Sequence, residues 1–110
     1  MGKSKVETYL GFCVRARKIC FGVDEIESLR KGVFLLLADG TLGESSLKKI
    51  QKAQQTLSCP LIVTENGRLG ALLYKPAVKA VAIKDKNLAL AIISACESEL
   101  QFKLYSGGNS

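Results

Sequence analysis

Apolar side chains recur along this chain in two alternating rhythms. Between residues 4 and 17, Val6, Tyr9, Leu10, Cys13 and Val14 fall at the spacing of one helical face, with Gly11 the weak point of that prediction. Ile19-Cys20-Phe21 is a short apolar run that Gly22 ends, and it predicts a brief strand. From Gly22 to Lys31 a second helix is predicted. Ile26 and Leu29 give its apolar side, while Asp24, Glu25 and Glu27 near its start and Arg30 and Lys31 at its end suit the helix dipole, with Gly32 as the stop. Val33–Leu37 is a continuous apolar run of the kind that forms a strand buried on both faces.

The second half repeats the alternation. Thr41 and Glu44 have capping-box spacing ahead of a helix whose apolar stripe is Leu47, Ile50, Ala53, Gln54 and Leu57, with Lys48, Lys49 and Lys52 off that stripe. Leu61–Thr64 after Pro60 is a second buried strand, Asn66-Gly67 a turn, and Leu69–Leu73 a short helical turn. Ala80–Ile83 predicts a third buried strand. Asp85 caps a last helix carrying Leu88, Ala91, Ile92, Ala95, Cys96 and Glu99 on its core side. Residues 103–110, closing in Ser106-Gly-Gly-Asn-Ser110, read as a frayed tail. Helices alternating with strands whose two faces are both apolar predict an α/β protein, a small sheet covered by helices on both sides. The 110 residues form one domain, without internal repeats.

Charge narrows the partners. The net charge is +6, and residues 1–18 hold Lys3, Lys5, Arg15, Arg17 and Lys18 against Glu7 alone. Clustering of that kind favours polyanions, whose counterions are released on binding. Residues Cys13, Cys20, Cys59 and Cys96 lack metal-site spacing, and there is no His. That pattern argues against a metal site or a Cys–His or Ser–His–Asp centre, so no cofactor and no enzymatic activity are expected. The thiols read as small core residues of a reducing compartment. With no charged-then-apolar segment before residue 20 and no apolar run of 18 residues, a cytoplasmic monomer away from the membrane is expected.

Three short signals bear on chemistry. Gly40-x-x-Gly43 sits between a strand and a helix but lacks both the third glycine of a dinucleotide fingerprint and a Gly-Lys-Ser/Thr, so turn chemistry is the better reading. Asp24 and Glu25 are neighbours on a helix and point about 100° apart, which does not make a catalytic pair. The segment from Arg15 through Arg17, Lys18 and Gly22 is more telling. There a basic stretch runs into a glycine-led helix start, where guanidinium groups and free amides suit phosphate.

Leu10-Gly-Phe-Cys-Val-Arg15-Ala-Arg17-Lys18-Ile-Cys-Phe-Gly22-Val-Asp24-Glu25, then Leu35–Asp39, Cys59-Pro60 and Leu69-Gly70, resemble in order and spacing the ribosomal protein family L-seven-Ae/L-thirty-e. The likeness spans about residues 6–98 and is nearest to the short bacterial YlxQ-type branch. It implies a three-layer α-β-α sandwich with a mixed sheet of about four strands. It also implies binding to kink-turn or similar RNA internal loops, linked to ribosomes or translation. On that resemblance Gly22, Asp24 and Glu25, with Lys18 just before, form one RNA-gripping segment and Tyr74 to Lys79 the other. Ala77 and Val78 would pack on an extruded base while Lys75 and Lys79 meet phosphates.

Three residues depart from the family pattern: Asp24 stands where kink-turn binders usually carry Asn, Ser28 where they carry Lys, and Tyr74 where they carry Gly. Asp24 accepts hydrogen bonds but cannot donate. Tyr74 predicts either a different backbone path for the second segment or a ring available for stacking. The competing function is a protein-interaction module on the same fold, and salt dependence separates the two.

Overall fold

The computed structural model describes residues 4–97 and 102–105. Its elements are helix α1 (Lys5–Ala16), strand β1 (Ile19–Phe21), α2 (Val23–Glu27), β2 (Leu35–Asp39), α3 (Glu44–Leu57), β3 (Leu61–Thr64), α4 (Arg68–Leu73), β4 (Ala80–Ile83), α5 (Lys86–Glu97) and β5 (Phe102–Tyr105). The strands make one mixed sheet in the order β1-β4-β2-β3-β5, with β2 and β3 parallel and the other pairings antiparallel. The α/β sandwich is therefore as the sequence predicts, with a fifth strand at the edge. Three of the residues expected in a frayed tail, 103–105, belong to β5, where Leu104 pairs with Ile62 and Tyr105 with Leu61. Residues 106–110 of that expected tail lie outside the described residues, as does Glu99.

The apolar runs divide between two cores because side chains alternate across a strand. From β2, Leu35 and Leu37 face α1, α4 and α5, packing with Val6, Leu10, Leu69 and Ile92. Leu36 and Ala38 face the other way, toward Ile26 of α2 and Ile50 and Ala53 of α3. Both cores lack water access, so each stretch from Leu35 to Ala38 and from Ala80 to Ile83 is buried without a break. Val14, predicted on the core side of α1, is 38% exposed.

Local chemistry sets the helix ends. The Ser4 hydroxyl accepts the Val6 amide at 3.1 Å to open α1, and Arg17 closes it in the left-handed region (φ 57°). The Asp85 carboxylate caps α5 by accepting the Leu88 amide at 2.8 Å, as predicted. Two expectations fail. Helix α2 stops at Glu27 instead of Lys31, because the Ser28 hydroxyl donates to the Glu25 carbonyl (2.7 Å) and Arg30 donates to the Glu27 and Leu29 carbonyls. The Thr41 capping box does not form. Gly43 is the residue before α3, and the Thr41 hydroxyl turns back to donate to the Asp39 carboxylate.

Candidate nucleic-acid interface

Strands β1, β4 and β2 bring three connections to one end of the sheet. β1 runs into Gly22 and α2, the loop after α4 runs into β4, and β2 runs into the turn before α3. The Gly22 amide donates to the Ala80 carbonyl at 3.0 Å, and the Asp39 amide to the Lys79 carbonyl at 2.8 Å. Between these connections lies a cleft of about 370 Å³ lined by Phe21, Gly22, Val23, Leu42, Ser46, Ala77, Val78, Lys79 and Ala80. Gly22 has φ 96°, a conformation costly for any residue with a Cβ, and this turn steers the chain from β1 into α2 along the cleft wall.

Gly70 sets the path of the second wall. A Cβ there would stand 3.0 Å from the Lys75 carbonyl oxygen and 3.0 Å from Pro76 Cα, tighter than ordinary contact, so glycine lets the loop fold close against α4. The Lys75 amide then donates to the Gly70 carbonyl (2.9 Å) and the Val78 amide to the Lys75 carbonyl (2.9 Å), presenting Ala77 outward and leaving Val78 half-buried. Tyr74 caps α4 at φ 57°, the left-handed region that a glycine would occupy at least cost. The backbone at this position thus takes a glycine-like conformation despite the bulky side chain. The Tyr74 hydroxyl donates to Glu7 of α1, and that hydrogen bond, with the carboxylate's charge, raises the phenol's pKa.

The sequence-derived candidates separate into groups. Gly22, Ala77, Val78 and Lys79 share the cleft, and the Lys75 ammonium lies 5.8 Å from the centre of the Phe21 ring at its margin. Asp24 and Glu25 are exposed on the first turn of α2, with Lys49 of α3 at 3.9 Å from Asp24. Arg17 and Lys18 are exposed on the connection from α1 to β1. Arg15 and Tyr74 belong to a different concavity, between α1 and α4. Lys79 is half-buried and its ammonium donates to the Thr41 hydroxyl at 2.9 Å, an intramolecular role that the sequence did not indicate.

Leu42 and Ser46, which complete the cleft, were missed by sequence reasoning. The signal was the Gly40-x-x-Gly43 turn, read as turn chemistry, whose Leu42 lines the cleft together with Gly22. Behind the cleft, Asp39 is buried and accepts from the Thr41 amide (3.0 Å) and hydroxyl, the Thr64 hydroxyl (3.2 Å) and the amides of Gly67 (2.9 Å) and Leu69 (3.1 Å). One carboxylate thereby fastens the ends of β2 and β3 to the start of α4.

The four cysteines are free thiols. Burial pushes Cys13 and Cys59 up to about 11, aided at Cys13 by the charge of Asp85, so both stay protonated at neutral pH. Among the described residues no cluster of His, Cys, Asp or Glu could hold a metal ion, and no helix is long and apolar enough to cross a membrane.

No family model matches the chain, and no curated protein does. Its fold is similar to that of a solved structure described as a protein with unknown function from Bacillus halodurans C. The two share a TM-score of 0.72 and 21% identity over 87% of this chain and 100% of the other, a likeness that establishes the fold alone.

Proposed function

We propose that this chain is a cytoplasmic, non-enzymatic binder of structured RNA, a kink-turn or related internal loop, acting at ribosomes or in translation as a member of the L-seven-Ae/L-thirty-e family. The observation that carries the reading is the shared cleft. Gly22 and Ala77–Lys79, singled out by the resemblance and far apart in sequence, line one concavity of about 370 Å³. Its floor is apolar (Leu42, Val78, Ala80), which suits the face of an unstacked base, and RNA is commonly read through bases splayed out of the helix. Exposed Lys75 stands beside Phe21 at the cleft margin, and exposed Arg17 and Lys18 lie at the other end of β1, where a phosphate backbone extending from the cleft would meet them. Exposed Asp24, next in the chain to the cleft residue Val23, can accept from guanine N–H groups, so the preferred loop differs from one read by Asn.

The test is a titration of a kink-turn RNA at several salt concentrations. Neutralising about five phosphates gives a log–log slope near −4. Ala77 is exposed, so Ala77→Glu leaves the fold intact while setting a carboxylate in the cleft, and affinity should fall at least about tenfold. Equal binding by the two proteins would remove the cleft from the RNA site.

A further inference from the structure

Two residues with unfavourable local backbone choices face each other across the second concavity. Gly11 lies in the interior of α1, where most side chains would hold the helix better. No close packing demands a glycine there, since a Cβ would meet only the Arg15 guanidinium, at 3.9 Å. Opposite, Tyr74 holds a left-handed conformation where a glycine would be less strained, yet it is 75% exposed. Gly11 leaves open, and Tyr74 walls, a groove of about 320 Å³ floored by Val14, Leu72 and Leu73. Arg15, also lining it, lies 5.1 Å from the centre of the exposed Phe12 ring, a cation held beside an aromatic plane. The left-handed Tyr74 is a helix cap like Arg17 and Ser58, and its hydroxyl donates to Glu7, so its ring is held at the groove.

We infer that this groove between α1 and α4 binds an unpaired nucleotide flanking the structured RNA, its base against Tyr74 and its phosphate toward Arg15. The inference rests on the RNA-binding reading above. The loop from Tyr74 to Lys79 joins the two concavities, one end in the groove and the other in the cleft, with Lys75 between them. The groove holds one cation and one anion, Arg15 and Glu7, the latter engaged by the Tyr74 hydroxyl. Exposed Arg17 and Lys18 just past Arg15 add the positive charge that a nucleic-acid strand would meet. Base stacking on an aromatic ring tolerates any sequence, so the groove would strengthen binding without adding sequence readout.

Two RNAs decide it: a kink-turn RNA and the same RNA with a short single-stranded uridine extension at its 3′ ends. The extension should tighten binding to the wild-type protein by about fivefold or more. Gly11→Leu fills the groove and should abolish that gain, with the thermal midpoint and the affinity for the unextended RNA kept. An iodouridine in the extension should crosslink to Tyr74. An extension that brings no gain, or a gain that survives Gly11→Leu, overturns the groove proposal alone. Failure of the unextended RNA to bind wild-type protein overturns the cleft reading and this inference with it. Equal affinities of both proteins for both RNAs would leave a peptide as the fitting ligand of the groove and refute the nucleotide.

Discussion

Asp39 and Asp24 carry the same carboxylate in opposite surroundings. At the end of β2, Asp39 is buried and ringed by donors from Thr41, Thr64, Gly67 and Leu69. At the start of α2, the Asp24 side chain is 94% exposed, with the Lys49 ammonium 3.9 Å away. The Asp39 amide donates to the carbonyl of Lys79, which lines the cleft, and Asp24 follows Val23, which lines it too. Where donors close around a carboxylate it holds the fold, and where they leave it open its hydrogen-bonding capacity remains for something else. Substitutions at the two positions should therefore separate stability from binding.

The largest effect should come from Asp39→Ala. It would leave the Thr41, Gly67 and Leu69 amides without their acceptor, and buried donors left unmade cost about 1–3 kcal/mol each. Chemical denaturation should show a loss of about 3 kcal/mol or more, and a loss near zero would mean that water replaces the carboxylate without penalty.

Acid should expose the same clamp. Burial by itself raises the Asp39 pKa, but the hydrogen bonds from Thr41, Gly67 and Leu69 outweigh it and bring the group from 3.8 down to about 2. The folded value lies below the unfolded one, so the stabilisation is complete above the unfolded value and is lost as pH falls toward about 2. It amounts to about 2 kcal/mol. Denaturation between pH 5 and pH 2 should show wild type losing that much more than Asp39→Asn, whereas parallel curves would contradict the assignment.

A smaller loss is expected from Gly70→Ala. The new methyl would press on the backbone of Lys75 and Pro76 at 3.0–3.1 Å, which costs about 1–3 kcal/mol in a packed site. Because that backbone carries Ala77 and Val78, RNA affinity should drop with it. Unchanged affinity in a destabilised protein would show that the loop path does not govern binding.

Asp24→Asn should do least to the fold, within about 0.5 kcal/mol as for most exposed substitutions. Affinity for a kink-turn RNA should nevertheless rise, since the amide supplies an N–H₂ donor and removes a negative charge near phosphates. Equal affinity of both proteins for every RNA tested would exclude the α2 start from the interface.

The sequence was most legible where a side-chain rhythm decides the element. Helix α1, α3 and α5 and the runs at β2, β3 and β4 follow from periodicity, because burial selects apolar residues at fixed intervals. Competition from single side chains was harder to read. The Ser28 hydroxyl shortens α2, and the demand of Asp39 for donors takes Thr41 away from its predicted cap. β5 depends on pairing with β3 across a long stretch of chain, and four residues beside a Ser/Gly-rich end give little warning of it. The cleft was legible only in part. Gly22 was marked by the basic, glycine-led helix start as well as by resemblance and the loop before β4 by resemblance alone, while Leu42 and Ser46 join them through a strand order that no local pattern encodes.

That strand order also sets when the cleft can exist. β4 lies between β1 and β2, antiparallel to both, although it follows them by some forty residues or more in the chain. A nascent polypeptide that has emerged only as far as β3 has Gly22 and Leu42 but lacks the strand that sets them side by side. Its long-range pairings must wait for Ala80–Ile83, and such non-local closure is a slow part of folding. RNA captured in this cleft would thus report a chain that has emerged past Ile83, because a strand interior to the sheet and one binding wall are delivered by the same late segment.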